Sequence, residues 1–194
     1  MDRNILVLGC GGIGSFVARG LSEIMESGQI DNFTETITLA DNDIIEVEQL
    51  AFQNFEMGEV GDNKAKALAN RYSFKAIPKR IEQESQLKGY SLILVCADND
   101  KARELVIRYA HKHKVDFIDL RSTGKRIFAM PKTTLEDNLR FINPKDTESH
   151  SCQDDADRER GWVSRGNKIV AEIGIQMLLN IERGQSNRTI TLTV

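Results

Sequence analysis

Asn4-Ile5-Leu6-Val7-Leu8-Gly9-Cys10-Gly11-Gly12-Ile13-Gly14-Ser15 is the stretch that decides the fold. A short apolar run of this kind reads as a strand buried on both faces. It leads directly into glycines, and Gly9, Gly11 and Gly14 fit the pattern G-x-G-x-x-G. From Phe16 to about Met25 the apolar residues return at helical spacing. Glycines at this junction give the turn its backbone freedom and let a phosphate approach the helix N-terminus closely. A second strand, Thr36 to Ala40, ends in Asp41, where a carboxylate can accept hydrogen bonds from a ribose diol. These residues predict a βαβ unit with a nucleotide site. NAD, FAD, S-adenosylmethionine and ATP all remain open, because each uses such a loop.

Further units extend the pattern. Helices are expected over Asn63–Tyr72, from about Asp100 to Lys112, and over Asn167–Ile181. Strands are expected at Ala76–Ile81, Leu92–Cys96 and Val115–Asp119. Arg126–Met130 and Leu139–Ile142 read as antiparallel strands with no helix between them, and Thr189–Val194 as a closing edge strand. The fold class is therefore α/β, a doubly wound, mainly parallel, Rossmann-like sheet whose later strands turn antiparallel. We read residues 1–194 as one domain, with a polar crossover loop at about 144–165.

Composition narrows the classes. The 194 residues carry 26 Lys+Arg against 29 Asp+Glu, a net charge of -3, which gives no reason to expect nucleic acid as partner. The three cysteines, Cys10, Cys96 and Cys152, form no Cys-x-x-Cys pair, so zinc is not expected, and an odd thiol count suits a cytoplasmic protein. The longest apolar run, Ser91 to Ala97, is far short of the roughly 20 residues that span a membrane. His111 and His113 are two apart on a helix end, share no face, and read as solvated.

Beyond the glycine loop, four segments carry a resemblance: Asp41-Asn42-Asp43-Ile44-Ile45-Glu46, Gln49-Leu50-Ala51-Phe52-Gln53, Gly61-Asp62-Asn63-Lys64 and Val95-Cys96-Ala97-Asp98-Asn99. With Cys152, Gly161-Trp162 and Gly174 to Leu179, they resemble, in order, the ThiF/MoeB/ubiquitin-activating-enzyme family. The resemblance implies adenylation, in which the C-terminal carboxylate of a small ubiquitin-like or sulfur-carrier protein, or of a peptide, attacks the α-phosphate of ATP. It implies that Gly9, Gly11, Gly12, Gly14, Asp41, Asp43, Gln49, Gln53 and Lys64 seat ATP, that Asp98 holds Mg²⁺, and that Cys152 takes the acyl group. It also implies a homodimer.

The residues themselves admit plainer readings. Lys64 opens a helix, where its ammonium meets either phosphate or solvent. Asp98 follows the central strand and either holds a metal or caps the next helix, a task Asp100 fits equally. Cys152 lies in a polar loop two residues from His150, and is either a nucleophile or a thiol without a covalent role. Two positions depart from the family pattern: Gln49 replaces its asparagine and Phe52 replaces its phosphate-contacting arginine. Arg71, Arg121, Lys125 and Arg126 are candidates to restore the lost charge. The alternatives are a non-catalytic module that docks a carrier protein and, with no hydride-transfer pair recognisable, an NAD-binding reductase.

Overall fold

A computed structural model describes residues 3–29, 36–123, 125–143 and 165–193. Seven strands form one sheet: β1 (Asn4–Leu8), β2 (Thr36–Ala40), β3 (Lys75–Ile77), β4 (Leu92–Val95), β5 (Asp116–Thr123), β6 (Arg126–Pro131) and β7 (Ile190–Thr193), in the order β3-β2-β1-β4-β5-β6-β7. The first five run parallel, while β6 and β7 are antiparallel, as the sequence implied. Helices α1 (Gly14–Glu26), α2 (Lys64–Tyr72), α3 (Asp100–His113), α4 (Leu135–Leu139) and α5 (Gly166–Glu182) cover the two faces.

The apolar runs of β1 and β4 are buried on both faces because each is flanked by parallel strands and covered by helices on either side. One core layer joins the sheet to α1, α2 and α5, and the other joins it to α3. Close packing depends on two glycines. A Cβ on Gly20 would lie 2.7 Å from Cγ1 of Ile175, and one on Gly174 would lie 2.5 Å from Cδ1 of Leu120. The strand order reverses between β1 and β4, so a crevice opens beyond their carboxyl ends, where α/β sheets bind ligands.

Two expected elements differ. The strand expected over Ala76–Ile81 ends at Ile77, because Pro78 has no N–H to continue the ladder. Leu139–Ile142 is not a strand. The preceding residues form α4, whose first turn is capped by Thr134 Oγ1 accepting from the Asp137 N–H at 3.1 Å. His111 is also less solvated than expected: its Nε2 lies 2.9 Å from Oδ1 of the buried Asn138. The expected crossover loop, with Cys152, His150 and Trp162, lies outside the described residues.

Candidate active site

A cavity of about 510 Å³ occupies the crevice beyond β1, β2, β3 and β4. Its floor is the glycine turn. Gly9 has φ +91°, a left-handed conformation, and its backbone N–H donates to the Ala40 carbonyl at 2.9 Å. A Cβ on Gly14 would lie 1.8 Å from the Gly9 carbonyl oxygen, so only glycine lets the turn close. A Cβ on Gly11 would meet nothing within 4 Å. Gly9, Gly11 and Gly12 line the cavity, whereas Gly14 sits behind them and shapes the turn.

Asp41 ties this floor to the next wall. Its Oδ2 accepts the Cys10 N–H at 2.6 Å and its Oδ1 accepts the Asp43 N–H at 2.8 Å. Burial raises its pKa above the usual carboxylate range, against the pull of those two hydrogen bonds. Burial, and then the Asp41 charge, push the Cys10 thiol well up, so it stays protonated and unreactive. Cys10 and Cys96 are both buried, in keeping with packing roles.

Asn63 fixes the exit from β2. Its Nδ2 donates to the carbonyls of Asp41 and Asp43, each at 3.0 Å, while its Oδ1 caps α2 by accepting the Lys66 N–H at 3.1 Å. Lys64 thereby starts the helix inside the cavity wall. It is only 4% exposed, which rules out the solvated alternative, and its Nζ lies 3.7 Å from Oδ2 of Asp43. Burying an ammonium against one partly exposed carboxylate leaves donors for a further anion.

Asp98 lies across the cavity beyond β4 and is exposed. It does not cap α3. Asn99 does, its Oδ1 accepting the Ala102 N–H at 2.9 Å, and Asp100 instead accepts the Asn143 N–H at 2.7 Å. Among the described residues, Asp98 is thus left with a long 3.5 Å approach from Asn99 Nδ2. Among the described residues no three His, Cys, Asp or Glu side chains cluster as a metal cage. A lone exposed carboxylate fits Mg²⁺ that arrives with phosphate oxygens and keeps most of its waters.

Gln49 and Gln53 reach the cavity on different terms. Gln49 is engaged locally, with Nε2 donating to Glu46 Oε2 at 3.0 Å and Oε1 accepting the Glu46 N–H at 3.3 Å. Gln53 brings a buried Oε1 that has no hydrogen-bond partner among the described residues. Phe52, at the arginine position of the resemblance, lines the cavity too.

None of the four cations offered as replacements for the lost arginine charge lines the cavity. Arg71 is held by Glu59 and the Asn54 carbonyl, and Arg121 by Asp119 at 2.6 Å. Sequence reasoning missed Lys79 and Arg80, which follow β3 and do line the cavity, because the third strand was drawn through them. The available signal was Pro78, which moves the carboxyl end of β3, and hence the ligand edge, to just before those two residues.

The cavity sits at the switch point, a glycine turn forms its floor, and Lys64 and Asp98 both line it. The ThiF family's sequence model matches residues 2–181. The chain belongs to the ThiF family. No curated protein matches this ThiF-family chain in sequence. Among solved structures, E. coli MccB with AMPCPP and MccA is similar at TM-score 0.70 and 19% identity, covering 100% of this chain and 61% of MccB. PaaA is similar at TM-score 0.71 and 16% identity, covering 99% and 61%. E. coli MccB with ATP gives TM-score 0.69 at 20% identity, covering 100% and 60%. The chain therefore spans about three fifths of the length of the proteins it resembles, and at these identities the likeness shows the fold. Among the described residues no helix is long and apolar enough to cross a membrane.

Proposed function

We propose that this ThiF-family chain is an ATP-dependent adenylyltransferase that activates the C-terminal carboxylate of a small ubiquitin-like or sulfur-carrier protein or a peptide. The observation that carries the proposal is the convergence of the glycine turn, Asp41, the buried Lys64 and the uncommitted Asp98 on one cavity. The turn and the start of α1 receive phosphate, and Asp41 receives the ribose diol on its remaining lone pairs. Lys64 donates to the phosphates, where a charge-assisted contact is worth about 1.5–3 kcal/mol. Asp98 is the residue that would hold Mg²⁺, whose contribution is to offset charge on the phosphates. A carboxylate oxygen forms a bond to the α-phosphorus, the bond from that phosphorus to the β-bridging oxygen breaks, and pyrophosphate leaves with the electron pair. The product is an acyl adenylate. Cys152, carried by the resemblance alone, is the proposed acceptor of the acyl group. MccB has been captured with ATP and with MccA, which favours a nucleotide and a small partner here.

A second reading has one observation behind it. Phe52 stands where the family's arginine is expected, and the cavity lining carries Asp41, Asp43, Glu46, Glu48 and Asp98 against Lys64, Lys79 and Arg80. A module that docks a carrier protein without turning over ATP would tolerate that balance. Thermal unfolding separates the two. ATP with Mg²⁺ at 100 times its Kd should add about 2.7 kcal/mol of stability to the wild type. Lys64→Ala and Asp98→Ala should each lose most of that ligand-induced gain. No gain with ATP would leave the docking module standing, and a gain with NAD alone would overturn both.

A further inference from the structure

A buried ionic network at the carboxyl end of β5 stands just outside the cavity lining. Asp119 is 1% exposed, and Arg103, in the first turn of α3, is 7% exposed. Arg103 Nε donates to Asp119 Oδ1 at 3.0 Å. Arg121 donates to Oδ2 of the same carboxylate, through Nε at 2.9 Å and a terminal nitrogen at 2.6 Å. Asp100 closes the group, its Oδ1 lying 3.8 Å from Arg103 and 3.6 Å from Arg121. The network also holds the chain after α4: Asp100 Oδ2 accepts the Asn143 N–H and Arg121 donates to the Phe141 carbonyl, both at 2.7 Å.

Stability alone does not call for these charges. The attraction within a buried ion pair offsets little more than its desolvation, and apolar side chains of similar volume often replace one without loss. Arg103 stands, moreover, in the first turn of a helix, where the dipole disfavours a cation, and its burial keeps water from it. What the network fixes is a position. Asp98 is exposed, and among the described residues its side chain has only the long approach from Asn99. Its place is therefore set by the chain on either side. Two residues before it, the Cys96 N–H donates to the Leu8 carbonyl at 2.8 Å. Just after it, Asn99 caps α3, and α3 is tied to β5 through Arg103 and Asp119. Val95 pairs with Asp119 in the β4–β5 register, so the tie lies one strand over from the chain that leads to Asp98. Ala102, in the same helical turn as Arg103, lines the cavity together with Asp98.

We propose that Asp119, by holding Arg103, is a positioning residue for Asp98: it fixes the first turn of α3 where the Asp98 carboxylate can meet a cation carried by the nucleotide. A guanidinium is planar and keeps its donors in fixed directions, so the pair sets orientation as well as distance. Arg121 and Asp100 fill the remaining sides and leave the Asp119 carboxylate no freedom to turn. The first turn of α3 cannot then slide over β5 without breaking the pair, and Asp98 is carried with that turn. Asp119 itself does not line the cavity, so it acts through Arg103 alone. The purpose of this arrangement rests on the adenylation reading, in which Asp98 would hold the Mg²⁺ that accompanies the phosphates.

The test is calorimetric titration of the full chain with ATP, in excess EDTA and again with Mg²⁺. Wild type should bind ATP about tenfold or more tightly with Mg²⁺, and Asp98→Ala should lose that gain. Removing Asp119 alone would strand two guanidiniums, so the pair is replaced together. Arg103→Leu combined with Asp119→Leu should keep Tm within a few degrees and keep the affinity in EDTA, yet lose most of the Mg²⁺ gain. Arg103→Lys retains the charge without the planar fork, and should lose part of the gain with affinity in EDTA unchanged. A merely structural network would change Tm and leave the Mg²⁺ gain as in wild type, and that result overturns the proposal. So does an equal loss of affinity with and without Mg²⁺, which would assign the network to the cavity as a whole. So does a failure of both variants to fold, which would make the network a determinant of the fold itself. No Mg²⁺ gain in wild type, or its survival in Asp98→Ala, overturns the metal assignment and the positioning with it. Positioning fails alone when wild type and Asp98→Ala behave as expected and the network variants keep the full gain.

Discussion

A methyl group at Gly14 would press on the Gly9 carbonyl at 1.8 Å, whereas one at Gly11 would meet nothing within 4 Å. The two glycines of one motif therefore do different work, and alanine separates them. Gly14→Ala should destabilise the fold by about 3 kcal/mol or more, because backbone must move. Gly11→Ala should stay within about 0.5 kcal/mol in urea unfolding yet reduce stabilisation by ATP, since its methyl group would stand where phosphate approaches. Equal effects of the two substitutions on stability would contradict the geometry. The spacing of the motif is legible in sequence, but this division of labour is not, because it depends on how close Gly9 comes to the helix start. Burial of Lys64 was hidden for the same kind of reason: it results from Asn63 clamping the exit of β2 from a distant part of the chain.

Among the elements, the beginning of α3 carries two neighbouring residues with separate duties. Asn99 caps the helix, so Asn99→Ala should cost about 1 kcal/mol of stability. Asp98→Ala should change stability by less than about 0.5 kcal/mol, while removing most of the Mg²⁺-dependent gain from ATP. Urea unfolding of both variants, with and without nucleotide, checks this, and a large loss of stability in Asp98→Ala would return the cap to that residue. The parallel strands were legible as apolar runs because burial on both faces leaves no alternation to misread. Leu139–Ile142 was not, because α4 is held by a polar network, partly local and partly reaching α3, and not by an apolar repeat. Buried Asn138 receives the Thr133 N–H at 3.0 Å, donates to the Pro131 carbonyl at 3.1 Å and meets His111 at 2.9 Å. A pattern of apolar residues cannot display such a network.

For the molecule as a whole, the order of the family motifs along the chain carried the topology, and the antiparallel close of the sheet followed from the loss of helices between strands. The positions of Lys79 and Arg80 emerged only with three strands side by side. One global property follows from Asp41. With its carboxyl pushed up by burial, the native protein holds a proton that the unfolded chain has already released just above the ordinary carboxylate range. The group's contribution to stability is therefore greatest in acid and is lost as pH rises through its folded value. Asp41→Asn has no such proton. The stability of wild type relative to Asp41→Asn should fall as pH rises from about 4, by at most about 1.4 kcal/mol per unit, and then level off. Urea unfolding at a series of pH values measures it, and a flat or rising difference would contradict the assignment.

The wall between β2 and α2 is built differently from the floor it faces. Its helical turns, Val47–Ala51 and Met57–Glu59, bury no residue, and it is held by Ile45 and Phe55 in the core, by Asn54 N–H donating to Ser15 Oγ at 3.0 Å, and by backbone bonds from Ile45 N–H to Asp62 and from Gly61 N–H to Ile45, both 2.9 Å. The strands β1 and β4 are almost wholly sequestered. In the language of amide exchange, floor and wall should behave as separate cooperative units: the floor is expected to open only with the whole domain, and the less buried wall at a lower free energy of its own. A nucleotide bridging the two would draw the wall's opening energy toward that of the whole domain, so filling the cavity would make one foldon of two.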